Sequence, residues 1–333
     1  MITGIPTNLP QEKREALGRV GLGGLMAMAC FDGEPSAKAV AAMTAIRDHL
    51  LQIDLDLAAL SPLPPSDLAQ QMIAIDEAPQ WRARILRGMT LVAMFDGDLS
   101  EAHLQFLQDA AEALKVDNAP VEIYRRSMQD NLMRLRLDIA RRSFMSDAIK
   151  TSFRQEGLQG IAATVKVLLG KEDKAMAARY RELINYPAGS FGRAYADFIL
   201  LNDFSFPGEV GGPPPPVMHH DCCHVLGGYG TTPNEEGGVV GFQAGFENLD
   251  PFDVLMFIMA EFELGIGTSP YIPGEKNLLD PKYIFAGMEH GSHVNTDLIT
   301  AINPWDYFAD PIDDVRQRFN VLPRGKAPEY ANQ

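Results

Sequence analysis

The sequence predicts an all-α protein with two helical domains, residues 1–145 and 146–333. Ala, Leu, Met, Gln and Arg are abundant, and these residues favour helices. Apolar residues recur at three- and four-residue spacing, which is typical of amphipathic helices. The alternation of apolar and polar residues that marks a strand is scarce. One helical run consists of Leu104, Leu107, Ala111 and Leu114.

Composition limits the classes of function. An apolar fraction of 46% over 333 residues is enough to build a sizeable core. The net charge of −15 argues against binding to nucleic acid and against docking on anionic lipid by charge alone. The three cysteines, Cys30, Cys222 and Cys223, make no disulfide framework, which fits a reducing compartment.

No targeting or membrane-spanning segment is expected. Residues 1–18 lack the basic region and apolar core of a secretory signal. The most apolar stretch, Val254 to Ile266, is interrupted by Glu261 and Glu263, and it is too short to cross a bilayer. We expect a protein of the cytoplasm or of the inner face of the membrane.

A weak repeat begins at Leu25 and again at Leu91. Each copy has an apolar helix, an Asp-Gly turn, a serine and a second helix. Gly33 and Gly97 permit the turns, while Ser36 and Ser100 are natural caps of the following helices. The turns lack the ligands of a calcium loop, so a structural role is favoured over ion binding.

This repeat, over residues 20–117, resembles the TerB-like (tellurite-resistance) helical domain. The resemblance implies an interaction or accessory module that contacts other proteins.

Three other segments have distinctive composition. Residues Ser61 to Ser66 predict a loop because they contain three prolines. Pro120 to Arg142 predicts a charged helix, either a solvated face or a surface for a membrane or acidic partner. Phe206 to Pro216 ends in four prolines and predicts a non-helical segment, either a lid or a spacer.

The segment from Met218 to Leu226 carries the candidate chemistry. In a helix, His220 and His224 lie about 40° apart and Asp221 about 100° from His220, so the three share one arc. Cys222 points away from this arc and Cys223 is marginal to it. Both cysteines are interpreted as small core residues, and His219 as lying outside the ligand set.

A helical hairpin is predicted to add a fourth ligand. Gly227, Gly228 and Gly230 stop the first helix, and Thr232 and Pro233 begin a second one. Glu235 completes a capping box with Thr232. Glu236, one residue on, is then free to lie over the histidines.

The metal-ligand and catalytic prediction is therefore His220, Asp221, His224 and Glu236. Two imidazoles with two carboxylates suit Zn²⁺, Fe²⁺ or Mn²⁺. The alternative is that His220 and Asp221 cap a helix while His224 is a core histidine.

The pattern His-Asp-x-x-His, followed after eleven residues by Glu, resembles the signature of the Coq-four family of coenzyme Q biosynthesis. Residues 186–195 and 225–229 resemble two other family elements. A third is similar to the stretch containing Asp306, Pro311, Ile312, Val315 and Arg316. The similarity covers roughly residues 155–322, and it departs from the family at Cys222, Cys223 and residues 288–291.

The resemblance implies a helical, dimeric protein that binds prenyl lipids at membrane surfaces. It implies oxidative decarboxylation of a polyprenylated hydroxybenzoate ring, in which a hydroxyl replaces the carboxyl at C1. Phe191, Tyr195 and Phe198 are candidates to line a prenyl tunnel or to be plain core, and Arg193 is a candidate to face an anionic head group.

Two other functions stay open at this point. His-Asp adjacency also marks metal-dependent phosphohydrolases, although His290 and His293 fit their additional ligands poorly. A non-enzymatic lipid-binding scaffold with a structural metal is the other alternative.

Overall fold

The computed structural model describes residues 9–75, 79–95, 100–128, 172–213, 215–267 and 274–324. Within these ranges the chain forms helices and no strand, which confirms the all-α prediction. In chain order the α-helices are α1 (Gln11–Ala29), α2 (Ala37–Ala45), α3 (Pro65–Ile75), α4 (Pro79–Phe95), α5 (Glu101–Leu114), α6 (Ala119–Met128), α7 (Lys174–Arg181), α8 (Phe191–Leu201), α9 (Pro215–Gly227), α10 (Pro233–Phe246), α11 (Pro251–Ile258), α12 (Pro281–Ser292) and α13 (Ile312–Phe319). Two π-helical segments, Ile46–Leu51 and Met259–Glu263, extend α2 and α11.

The predicted turn and caps of the repeat lie where the sequence places them. Gly33 follows α1 with φ of 131°, a backbone conformation that strongly favours glycine. Ser36 Oγ accepts a hydrogen bond from Ala39 N at 3.1 Å, and Ser100 Oγ accepts one from His103 N at 3.1 Å. These bonds cap α2 and α5. The second Asp-Gly turn, at residues 96–97, lies outside the described residues.

Two predicted loops are shorter than expected because prolines begin the helices that follow. Pro65 is the first residue of α3, and Pro215 is the first residue of α9. The first N–H groups of a helix have no partner within it, so a proline at that position loses no hydrogen bond. The predicted charged helix is described as α6, and its continuation beyond residue 128 lies outside the described residues.

The helices before residue 129 pack directly on those after residue 171. Lys38 Nζ lies 2.6 Å from Glu263 Oε2. Glu289 on α12 accepts hydrogen bonds from both His49 Nδ1 (2.7 Å) and Gln52 Nε2 (2.8 Å). One contiguous buried cluster spans both groups of helices, from Leu17 to Val321. The predicted boundary at residues 145 and 146 lies outside the described residues, so it stays a prediction.

Helices α10 and α12 cross at backbone-to-backbone distance. A methyl group added at Gly291 would lie 1.9 Å from the Phe242 carbonyl oxygen, and one added at Gly241 would lie 2.1 Å from the Ile284 carbonyl oxygen. Only glycine permits so close an approach. This crossing holds α10, which carries Glu236, against the rest of the core.

Among the described residues, no helix combines the length and the apolar character needed to cross a membrane.

Candidate metal centre

Helices α9 and α10 form the predicted hairpin. Gly228 follows α9 with φ of 75°, and Thr232 Oγ1 accepts a hydrogen bond from Glu235 N at 3.4 Å to cap α10. Pro233 is the first residue of α10. The short connection sets the two helices side by side, so residues near the end of α9 face residues in the first turn of α10.

Distant residues fix both sides of the turn that joins α9 and α10. Arg316 of α13 donates to the carbonyl oxygens of Val225 and Leu226 at 3.0 Å each, which satisfies groups left open at the end of α9. Glu235 does not complete the predicted capping box by reaching back to Thr232. Its carboxylate accepts from Gly230 N at 2.8 Å and pairs with Arg324.

Three of the four predicted ligands converge. The Nε2 atoms of His220 and His224 lie 3.1 Å apart. Glu236 Oε2 lies 3.4 Å from His220 Nε2, and Glu236 Oε1 lies 3.5 Å from His224 Nε2. His220 and His224 are buried and Glu236 is partly exposed. Among the described residues, only these three side chains form a group of three or more donors close enough to share one metal ion.

The spacing of these donors fits a metal ion of the first transition series. Ligands at about 2.0–2.1 Å from a tetrahedral ion lie about 3.3 Å from one another. The three distances of 3.1, 3.4 and 3.5 Å bracket that value. His220, His224 and Glu236 therefore suit an ion bound to two imidazole nitrogens and one carboxylate.

The ring of His220 is oriented by Gln243, which lies two helical turns after Glu236 on the same face of α10. His220 Nδ1 lies 2.8 Å from Gln243 Oε1. Because an amide oxygen only accepts, Nδ1 carries the proton and the Nε2 lone pair is left for a metal. Such a bond behind a histidine ligand fixes its tautomer and raises its basicity. Gln243 Nε2 in turn donates to Glu247 Oε1 at 3.2 Å.

An aromatic side chain orients the second imidazole. Phe198 of α8 stacks on His224, with ring centroids 5.1 Å apart and an interplanar angle of 27°. His224 Nδ1 is buried and has no hydrogen-bond partner among the described residues. The ring of His224 is therefore positioned by packing, whereas that of His220 is positioned by a hydrogen bond.

The electrostatics of the cluster favour a positive charge at its centre. Burial acts to raise the pKa of Glu236, but the charges and hydrogen bonds of His224 and His220 outweigh it and hold that pKa well below its usual range. Burial acts to lower the pKa of His220, but the hydrogen bond and charge of Glu236 raise it to about 9. A divalent cation would supply the same positive charge between these groups.

Asp221, the fourth predicted ligand, lies outside the group of converging donors. Its carboxylate interacts electrostatically with Tyr195 of α8, whose buried hydroxyl has no hydrogen-bond partner among the described residues. Burial raises the pKa of Asp221 to about 6, and the charges of His220 and His224 act in the opposite direction. Its role as a ligand stays a prediction, while its position beside the cluster is established.

The predicted substrate residues have different surroundings. Phe191 and Tyr195 are fully buried and contact Phe308, and Phe198 stacks on His224 as described. Arg193 is bound to Asp197 (2.8 Å) and to the Ile184 carbonyl oxygen (3.2 Å).

The residues expected to lie outside the ligand set are not in the group of converging donors. His219 is buried, and burial lowers its pKa to about 4. Cys222 and Cys223 are buried, and burial raises the pKa of each thiol well above its usual value. They are neutral core residues, because a metal-ligating cysteine is a thiolate.

Comparisons of the chain with protein-family models, with curated proteins and with solved structures find no match. The resemblances to the Coq-four family and to the TerB-like domain therefore stay predictions from the motifs.

Proposed function

We propose that this protein is a divalent-metal-dependent enzyme of coenzyme Q biosynthesis that acts on a prenylated hydroxybenzoate-type ring. The observation that carries the proposal is the triangle of donors formed by His220, His224 and Glu236. The reaction and the substrate class come from the motif resemblance, and the geometry supports a metal centre suited to them.

The number of converging ligands favours an enzyme over a scaffold with a structural metal. Structural zinc sites are closed by four protein ligands, whereas catalytic sites use three and keep a position for water or substrate. Three donors converge here, and Asp221 is not among them. Two histidines and one carboxylate are also the ligand set of non-haem iron oxygenases.

In the proposed reaction, the bond from ring carbon C1 to the carboxyl carbon breaks and carbon dioxide leaves. A new bond forms between C1 and the oxygen of the incoming hydroxyl. Dioxygen is the oxidant: two substrate carboxyls and one dioxygen give two ring hydroxyls and two molecules of carbon dioxide. A bound Fe²⁺ or Mn²⁺ would supply redox and Lewis-acid chemistry for this change, whereas Zn²⁺ would supply Lewis-acid chemistry alone.

The residues around the cluster have tasks that suit this substrate. Phe198 places an aromatic wall against His224, and it contacts Phe204 with ring centroids 6.1 Å apart. Phe204 belongs to an exposed apolar patch with Leu200 and Leu201, of which Leu201 is 85% exposed. In the proposal the ring lies near Phe198 and the prenyl chain extends towards this patch.

The patch lies close to the hairpin that carries the ligands. Asn202, at the end of α8, accepts a hydrogen bond from Thr231 Oγ1 at 3.0 Å, which ties it to the turn before Glu236. A lipid or membrane that contacts Leu200, Leu201 and Phe204 would therefore meet the protein beside the metal centre. In the proposal, Asp221 and Tyr195 hold or exchange a proton beside the ligands.

The test begins with metal content. Wild type, His224→Gln and the control His219→Gln are purified without added metal, loaded with Fe²⁺, Mn²⁺ or Zn²⁺, and assayed by elemental analysis. We expect about one ion per chain in wild type and in His219→Gln, and a loss of metal in His224→Gln. Full loading of folded His224→Gln would overturn the site.

The same proteins are then given a prenylated 4-hydroxybenzoate with a ¹³C-labelled carboxyl group under air. Release of labelled carbon dioxide together with a hydroxylated ring, lost in His224→Gln, supports the proposal. A tightly bound metal without turnover would favour the lipid-binding scaffold. Release of phosphate from nucleotides would favour a phosphohydrolase.

A further inference from the structure

The chain that follows α13 lies across the connection between α9 and α10. Asn320 ends α13 in a left-handed conformation with φ of 53°, which turns the chain away from the helix axis. Residues 321–324 then form a short strap. The Leu322 carbonyl oxygen accepts a hydrogen bond from His290 Nε2 at 2.9 Å, which attaches the strap to α12.

Arg324, in the strap, contacts the connection in three ways. Its Nη1 donates to the Gly228 carbonyl oxygen at 2.5 Å, and both of its Nη atoms pair with the Glu235 carboxylate. Its guanidinium carbon lies 4.5 Å from the centre of the Tyr229 ring. The side chains of Arg324 and Glu235 are only 15% and 18% exposed. A shielded pair with two points of contact has a defined geometry, which most exposed ion pairs lack.

Glu235 transmits this contact to α10. Its carboxylate also accepts from Gly230 N at 2.8 Å, and its own N–H donates to the capping hydroxyl of Thr232. Glu235 lies in the first turn of α10. The guanidinium of Arg324 therefore holds the connection and the start of the helix together.

Glu236 is the next residue, about 100° around the helix from Glu235. Its N–H donates to the Thr232 carbonyl oxygen at 2.8 Å, so the two glutamates belong to one helical turn. Its carboxylate oxygens lie 3.4 Å and 3.5 Å from Nε2 of His220 and His224. A rotation or shift of this turn would therefore move Glu236 relative to both histidines.

We propose that Arg324 is a positioning residue of the candidate metal centre. By holding Glu235 and the Gly228 carbonyl group, it fixes the first turn of α10 and the direction from which Glu236 reaches the ion. Glu236 thus has a supporting contact, as His220 has in Gln243. The inference rests on the metal centre of the proposed function and is independent of the reaction and the substrate.

The experiment titrates Co²⁺ into the full chain, freed of metal with a chelator, and follows the visible absorption band of the bound ion. The band reports the geometry of the ligands, and the titration gives the affinity. In Arg324→Gln we expect the affinity to fall by about tenfold, as for other groups that support a ligand. The band at saturation should change in position or intensity, because Glu236 reaches the ion in a different geometry.

Charge alone predicts the opposite result. Removal of a positive charge near the site would strengthen the binding of a cation. A loss of stability alone would leave the affinity and the band of the folded protein unchanged. Weaker binding with an altered band therefore identifies positioning.

Two further variants use the geometry of the pair. Arg324→Lys keeps the charge without the planar fork that pairs at two points, so it should recover part of the lost affinity. Glu235→Gln removes the carboxylate that Arg324 holds. The double variant Arg324→Gln, Glu235→Gln should bind Co²⁺ little more weakly than the weaker single variant, because both changes act through one contact.

Arg318→Gln is the matched control. Arg318 is an exposed residue of α13 that contacts the Tyr307 ring at 5.5 Å and lies outside the strap. This variant should have the affinity and the band of wild type. Circular dichroism establishes that each variant is folded.

The outcomes separate this inference from the proposed function. If wild type binds Co²⁺ and folded Arg324→Gln has the same affinity and band, Arg324 does not position the ligand, while the metal centre stands. If Arg324→Gln does not fold, wild-type affinity in both Arg324→Lys and Glu235→Gln overturns the inference in the same way. If wild type binds no Co²⁺, the metal centre itself is wrong, and the inference is wrong with it.

Discussion

The two histidines of the candidate metal centre are held by different means, and this difference has a testable consequence. His220 Nδ1 is bound to Gln243 Oε1, whereas His224 is held against the ring of Phe198. Gln243 is fully buried, so its amide meets no solvent that would replace the bond. The orientation and basicity of the His220 ring therefore depend on one side chain.

Replacing Gln243 by methionine keeps the approximate volume and removes the acceptor for His220 Nδ1. We expect the affinity for Zn²⁺ or Fe²⁺ to fall by about 10- to 100-fold, the usual cost of losing such a partner. The affinity is measured by competition with a chelator of known strength.

The control is Glu247→Gln, which changes the other hydrogen bond of Gln243 and does not touch His220. Affinity in this variant should stay within a few-fold of wild type. Equal affinity in Gln243→Met and wild type would mean that the amide does not orient the ligand.

The ligand residues differ in how far local sequence predicts them. His220 and His224 follow from four-residue spacing in a helix, and Glu236 follows from the turn signals at Gly228 and Thr232. For Asp221 the prediction rests on a helical projection alone, which shows the direction of a side chain and not its neighbours. Asp221 interacts with Tyr195 of α8, and the projection does not contain the position of that helix.

Gln243 was missed, although a signal for it exists. It lies seven residues after Glu236, two helical turns along the same face of α10. The Arg324 partner of Glu235 is 89 residues away in sequence, so only the tertiary fold reveals it. Spacing predicts neighbours on one helix, while partners between helices depend on packing.

At the scale of the element, the crossing of α10 and α12 determines where Glu236 and Gln243 lie. A methyl group added at Gly241 or Gly291 would meet a backbone carbonyl oxygen and not a flexible side chain. A residue larger than glycine therefore forces the helices apart. The sequence analysis predicted α10 but neither α12 nor this contact, because glycine in a helix has no periodic apolar signature.

Gly291→Ala should lower the free energy of unfolding by about 3 kcal/mol, the upper part of the usual cost of overpacking. It should also weaken metal binding, because displacement of α10 moves Glu236 away from His220 and His224. The measurements are chemical denaturation and a metal titration of the folded fraction.

Gly21→Ala is the matched control, since its added methyl group has no neighbour closer than 3.6 Å. Its free energy of unfolding should stay within about 1 kcal/mol of wild type, because alanine favours the helix. If both variants were as stable as wild type, the close crossing would be wrong.

At the scale of the whole molecule, His290 joins three parts of the chain. His290 lies on α12. Its Nδ1 is 2.8 Å from the hydroxyl of Tyr229, in the turn after α9, and its Nε2 is 2.9 Å from the carbonyl oxygen of Leu322, near the end of the described residues. A carbonyl only accepts, so Nε2 carries the proton. Nδ1 of the neutral ring is then the acceptor for the Tyr229 hydroxyl.

This arrangement requires a neutral imidazole. Burial lowers the pKa of His290 to about 4, the Leu322 carbonyl acts against this, and the charges of His293 and Arg324 act with it. In the unfolded chain the pKa is about 6.5. The unfolded state therefore binds more protons below that pH, and stability falls as the pH falls from about 6.5 towards about 4.

Between pH 7 and pH 5 this one histidine should cost about 2 kcal/mol of stability. His290→Gln keeps a donor and an acceptor but has no imidazole to protonate. The stability that this variant loses between pH 7 and pH 5 should therefore be smaller than the loss in wild type by about 2 kcal/mol. The measurement is denaturation at both pH values, compared as a difference within each protein. The difference within each protein removes the effect of the substitution at neutral pH. Comparing these differences between proteins removes the acid sensitivity from buried His219, which all the variants share. His293→Gln removes an exposed imidazole three residues along and with it only a smaller contribution to the low pKa of His290, so it should lose nearly as much stability as wild type. If His290→Gln and His293→Gln had the same pH dependence, His290 would not be the group that links these three parts of the chain to acid stability.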